Sequence, residues 1–127
     1  MLTEKDYCDY ETCVALKELG YVGLSRFFYA TKESPLRRYS YDQILTTRIA
    51  DAVGHTLAIS LYVAQKWLRE EKNLHIEVRW YSNLWYEYEV KEAEGKILAE
   101  GSAFKTYEEA LSTAIYMATE HLKEEEK

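Results

Sequence analysis

The stretch Leu74-His75-Ile76-Glu77-Val78-Arg79-Trp80-Tyr81 decides the fold class. Ile76, Val78 and Trp80 fall on one side of a period-two alternation, and His75, Glu77 and Arg79 fall on the other, which is the pattern of a half-buried strand. Ser82-Asn83 supplies a turn of hairpin length. Trp85 to Lys91 then alternates again, with Tyr86, Tyr88 and Val90 opposite Glu87, Glu89 and Lys91. Glu94-Gly95 marks a second hairpin turn, and Ile97 to Phe104 reads as a third, less regular strand. Such faces predict an antiparallel meander with one side under helices and the other side wet.

Helical patterns flank the meander. Ser60 is placed to cap a helix ending near Glu71, with Leu61, Ala64, Trp67 and Leu68 inward and Gln65, Lys66, Arg69 and Glu70 toward water. Trp67 is expected between this helix and the sheet. Thr106-Tyr107-Glu108-Glu109 has the form of a capping box: the Thr106 hydroxyl accepts the Glu109 N–H, and the Glu109 carboxylate reaches back to the N–H of Thr106. Ala110, Leu111, Ala114, Ile115, Ala118 and Leu122 then repeat at three- and four-residue spacing. Residues 123–127 read as a charged, frayed tail.

The first half is less regular. Asp9 is placed to cap a helix from about Tyr10 to Leu19, with Gly20 as its left-handed stop. Val22 to Ala30 reads as one aromatic-rich strand, and Thr31 to Pro35 as a loop. Ser40-Tyr41-Asp42-Gln43 has the capping-box form, which predicts a helix over 41–53 with Tyr41, Ile44, Leu45, Ile49, Ala52 and Val53 on one face and Gly54 at its end. The β-branched pair Thr46-Thr47 weakens that helix and keeps an extended segment as the rival. The chain is thus expected to be a single α+β domain over residues 1–122. Its order is α-β-(α)-α-β-β-β-α, an antiparallel three- to four-stranded meander packed on one face by helices.

A chain of 127 residues with 47% hydrophobic content and one proline is long enough to bury a core without disulfides. No apolar run approaches the ~20 residues of a membrane span, and the first residues lack the basic start and apolar core of a signal peptide, so a cytoplasmic location is expected. Cys8 and Cys13 do not have zinc-site or redox-motif spacing and are expected to be reduced. Acids and bases balance over residues 1–72, so the whole net charge of −6 sits in residues 73–127. That half would repel nucleic acid, so nucleic acid is not expected as its partner.

Candidate sites follow from residue types. None of His55, His75 and His121 stands three or four residues from another His or Cys, so no metal site is expected. Serines lie outside any Gly-x-Ser-x-Gly turn, and the glycines are too scattered for a phosphate cradle. With no acid, base and nucleophile placed together, neither an enzyme nor a cofactor is expected. Glu87 and Glu89 point the same way on one strand, the pattern of a solubilising sheet face. Twelve tyrosines favour an interface, because tyrosine offers contact area at low entropy cost. The candidate interaction surface comprises Arg37, Arg38, Tyr39 and Tyr41, able to stack bases or grip a carboxylate, together with a surface Trp85 that a partner would have to cover.

The residues Ser60 to Glu70, Leu74 to Val78 and Thr106 to Leu111, with the Tyr10 to Tyr21 stretch ending in Lys-Glu-Leu-Gly-Tyr, resemble a family of small proteins of gut-dwelling anaerobic bacteria. Members are often encoded on prophages and other mobile elements. The resemblance spans roughly two-thirds of the chain and rests on caps and core positions; Val63 departs from the expected glutamate, and residues 31–55 have no counterpart. No activity is established for that family, so no functional residue carries over. The helix–three strands–helix order also matches double-stranded RNA-binding domains, but Glu108 and Glu109 stand where those have lysines. The acidic strands and last helix are similar to antitoxin halves of toxin–antitoxin pairs. The expectation is a non-enzymatic protein-binding or accessory module of a mobile element acting as a homodimer. An antitoxin-like inhibitor or nucleic-acid-binding regulator using Arg37 and Arg38 is the alternative.

Overall fold

The computed structural model describes residues 3–39, 43–82 and 85–126. It is an α+β chain whose strands form antiparallel sheets, and it divides into two compact units, residues 1–60 and 61–127.

In the first unit a short 3-10 turn, Glu4–Asp6, leads to α1, Tyr10–Glu18. Asp9 caps α1 by accepting the Thr12 N–H at 2.9 Å. Gly20, at φ 109°, reverses the chain so that the Tyr21 N–H returns to the Leu16 carbonyl at 2.9 Å, satisfying an otherwise orphaned acceptor. Cys8 precedes the cap residue, and Cys13 lies on the helix. Both thiols are buried and free; the Cys13 Sγ–H donates to the Cys8 carbonyl, and Sγ accepts the Ile59 N–H. The Cys13 thiol, together with burial, holds the Cys8 thiol well above its ordinary range.

The single strand expected over 22–30 is two strands with different partners. β1, Leu24–Ser25, and β2, Phe27–Tyr29, are separated by Arg26, whose carbonyl accepts the Tyr39 N–H at 2.7 Å. β2 is the centre of a three-stranded sheet between β3, Arg37–Arg38, and a strand at Thr56–Leu57, while β1 pairs with β4, Leu45–Thr46.

The helix expected over 41–53 is shorter. Ser40, Tyr41 and Asp42 lie outside the described residues; Leu45 and Thr46 are strand; and α2 runs only from Thr47 to Ala52. The threonine pair explains the change. The Thr46 hydroxyl caps α2 by accepting the Ile49 N–H at 3.1 Å, and the Thr47 hydroxyl accepts the Gly23 N–H at 3.0 Å. The buried face is accordingly Thr47 and Ala50, while Ile49, Ala52 and Val53 face outward. β5, Thr56–Leu57, follows Gly54 and was not expected from the sequence. Phe28, Tyr39, Ala50 and Leu57 form the buried cluster beneath these elements.

In the second unit α3, Leu61–Lys72, leads through Asn73 (φ 54°) into β6, Leu74–Tyr81, then β7, Trp85–Glu92, β8, Ile97–Phe104, and α4, Tyr107–Glu125. The sheet order is β6-β7-β8, and β6 pairs with β7 through all eight residues, Leu74 opposite Glu92 and Tyr81 opposite Trp85. The β7–β8 register slips twice, between Tyr86 and Tyr88 and between Val90 and Lys91, and Ala103 takes φ 70° at the first slip. α4 lies against all three strands, burying Ala110, Leu111, Ala114, Ile115, Ala118 and Leu122. Its cap is Thr106, which accepts the Glu109 N–H at 3.1 Å; among the described residues the Glu109 carboxylate does not return the bond. The helix continues to Glu125. On α3 the buried side is Leu61, Ala64 and Leu68. Trp67 is half-buried, not enclosed as expected, with the Lys72 ammonium 5.6 Å from its ring centroid. Gln65, expected to face water, donates to the Ile76 carbonyl at 3.1 Å.

Candidate functional site

Burial falls steadily along the covered face of β6. Leu74 is 4% and Ile76 9% exposed, Val78 is half-buried, and Trp80 is 61% exposed. Tyr81, 55% exposed, stacks on Trp85 at 5.6 Å across the hairpin. Trp85 is therefore half-buried under its neighbour, and the exposed tryptophan is Trp80, two residues past the last packed position of the strand.

The other face of β6 carries an ion network. The Arg79 guanidinium lies 3.0 Å from Glu89, 3.3 Å from Glu87 and 3.7 Å from Glu77. Lys91 lies 3.3 Å from both Glu77 and Glu89, and these bonds hold its ammonium above the ordinary lysine range. The Glu87 and Glu89 carboxylates are thus bound to cations. A shallow cavity of about 360 Å³ beside them is lined by Arg79, Tyr88, Glu100 and Ser102 among others. No hydroxyl or thiol nucleophile in it is paired with a histidine among the described residues.

β6 is also the regular edge of its sheet. The β8 edge is broken by two bulges, which blunt it against further pairing, whereas β6 runs eight residues without one.

In the first unit Arg37 and Arg38 sit exposed on β3, opposite Phe28 and Phe27. Tyr39 is not with them at the surface. Its ring stacks on Phe28 at 4.2 Å, with His55 on Phe28 at 4.3 Å, and its hydroxyl lies 3.2 Å from His55 Nδ1. Burial raises the Tyr39 phenol above its usual range. Tyr41 lies outside the described residues. Of the five expected surface residues only Arg37 and Arg38 share an exposed strand, on which their side chains alternate in direction, and Trp85 belongs to the other unit.

Two features escaped the sequence reading. The exposure of Trp80 depends on where the helices stop covering the sheet, which alternation does not encode. His121 has no His or Cys three or four residues away, yet its Nε2 lies 3.0 Å from Glu125 Oε1, one turn on, and both approach Glu92. The His-x-x-x-Glu spacing was legible; Glu92 was not. No helix among the described residues is long and apolar enough to cross a membrane. No family model, curated protein or solved structure matches this chain.

Proposed function

We propose that the protein is a non-enzymatic binding module that self-associates by pairing β6 of one copy with β6 of another. The observation that carries the reading is the self-complementarity of this edge. Antiparallel pairing about a two-fold axis at Val78 sets Glu77 opposite the Arg79 of the other copy, twice, and Ile76 opposite Trp80. His75 falls opposite Tyr81. Opposed residues then lie on the same face, opposite charges meet, and the exposed tryptophan gains an apolar neighbour. The bulged β8 edge offers no such match. Engagement of the Glu87 and Glu89 carboxylates by Arg79 supports a binding role over acid–base chemistry.

Light scattering tests the reading: a dimer is expected at ~100 μM, a concentration at which a ~10 μM dissociation constant leaves most chains paired. Glu77→Arg and Arg79→Glu are each expected to give monomers by placing like charges opposite, and the double exchange to restore the dimer. A wild type that stays monomeric at this concentration overturns it. A role in a mobile element rests on the sequence resemblance alone, and a cytoplasmic location on the sequence reading.

A second reading draws on the exposure of Arg37 and Arg38 on an edge strand, one on each face of it: contact with an anionic partner, either nucleic acid or an acidic protein surface. A gel shift at low salt that disappears in the Arg37→Ala, Arg38→Ala double variant supports the nucleic-acid form; no shift in the wild type removes it.

A further inference from the structure

The end of β7 and the last turns of α4 bring three ligand-bearing side chains together. His121, Glu125 and Glu92 each offer an atom within 4.8 Å of the other two. His121 and Glu125 share a helix face one turn apart. Glu92 comes from the opposite side, and its backbone is held firmly: its N–H donates to the Lys96 carbonyl at 2.9 Å, and its carbonyl accepts the Gly95 N–H at 2.8 Å. The three side chains line a cavity of about 230 Å³ with Asn73 and Glu94 in its wall. We propose that Glu92, His121 and Glu125 form a binding site for a divalent first-row transition ion, best matched by Zn²⁺.

The donor set selects the ion. Two carboxylates and an imidazole are ligands of Zn²⁺ and its neighbours, whereas Ca²⁺ and Mg²⁺ favour oxygen throughout. An ion ~2.0–2.2 Å from each donor places the donors ~3.3–3.6 Å apart in a tetrahedron, a small closure from the observed spacing. The electrostatics also ask for a cation. Glu92 is half-buried, and among the described residues no lysine or arginine forms an ion pair with it. Lys72, the basic residue in the cavity wall, has its ammonium over the Trp67 ring. The site lies at the C-terminal end of a 19-residue helix, where the backbone dipole favours positive charge. An ordinary surface pair of His121 with Glu125 would account for two of these residues but gives no role to Glu92. Three protein ligands leave a coordination position to water, and the ion would clip the end of α4 to the β7–β8 turn.

The test is calorimetric titration of the metal-free full chain with ZnCl₂, and visible spectroscopy with CoCl₂. One equivalent of Zn²⁺ is expected to bind, Co²⁺ to give the intense bands of four-coordination, and Zn²⁺ to displace them. Glu92→Gln and His121→Ala are each expected to weaken Zn²⁺ binding ~10-fold or more. Both keep the fold, since glutamine is isosteric and alanine is a better helix former, and the circular dichroism and Tm of the metal-free variants verify this. Three results would each overturn the site: no saturable Zn²⁺ binding by the wild type, unchanged affinity in Glu92→Gln, or displacement of Zn²⁺ by equimolar Ca²⁺.

Discussion

The strands of residues 74–104 are each eight residues long and pair with their chain neighbours, whereas those of the first sixty residues are two or three residues long and, apart from the β2–β3 pair, take partners that are not their neighbours in the chain. The difference lies in where the ordering comes from. An eight-residue strand joined by a tight turn brings its own register, and alternation declares its faces. A two-residue strand such as β5 carries no period to detect, and it is held by what surrounds it: Leu57 in the buried cluster, and the neighbouring Ala58 N–H bonded to the Phe27 carbonyl. The second unit is therefore ordered by local pattern under helices, the first by particular tertiary bonds.

Core truncation probes that contrast most severely. Leu111 is fully buried on α4, and Leu111→Ala is expected to cost ~2–5 kcal/mol. Leu57→Ala, in a cluster of four residues, is expected in the lower half of that range. Urea unfolding measures both, and a larger loss at Leu57 would mean that the short-stranded unit carries the chain's stability.

Gly101→Ala is expected to come next. A Cβ there would lie 2.6 Å from the Tyr88 ring, which is 4% exposed and contacts Phe104, so the ring has little freedom to move. Overpacking of this kind costs ~1–3 kcal/mol. Thermal unfolding checks it, and a neutral result would show that the bulge beside Gly101 absorbs the methyl group.

Tyrosine ionisation separates the units by pH. Burial raises the phenols of Tyr7, Tyr21, Tyr29 and Tyr39 in the first unit, against Tyr88 alone in the second. A group whose folded pKa exceeds its unfolded value stabilises fully below the unfolded value and loses that contribution as pH rises through the folded one. The Cys8 thiol of the first unit is raised as well, so stability is expected to hold up to about pH 8.5, where an unperturbed thiol ionises, and to fall above it, more steeply past about pH 10, with amide exchange accelerating first in residues 3–39. Tyr29 donates to the buried Cys8 carbonyl at 2.7 Å, so Tyr29→Phe is expected to cost ~1 kcal/mol at neutral pH and to lessen the alkaline loss. Faster exchange in residues 74–104 at high pH would reverse the assignment.

Thr106→Ala is the mildest of these changes. It removes the acceptor for the Glu109 N–H and is expected to cost ~1 kcal/mol with no effect on self-association or Zn²⁺ binding. Loss of either property at full stability would make Thr106 part of a binding surface.

The sequence by itself determined the three-stranded meander, the helices on either side of it, and the caps at Asp9 and Thr106. These depend on contacts within a few residues: an alternation of period two, a repeat of 3.6, and a hydroxyl or carboxylate three positions from an amide. Thr46 and Thr47 mark the limit of such reading. Their side chains could favour strand or cap a helix, and the bond from Gly23, far away in the chain, accompanies the short helix that results. Tertiary structure alone decided that Tyr39 turns inward to stack on Phe28, that Trp80 emerges past the helical cover while Trp85 is sheltered by Tyr81, and that Glu92 meets His121 and Glu125. Exposure and convergence depend on which distant elements end where, and no local period carries that information.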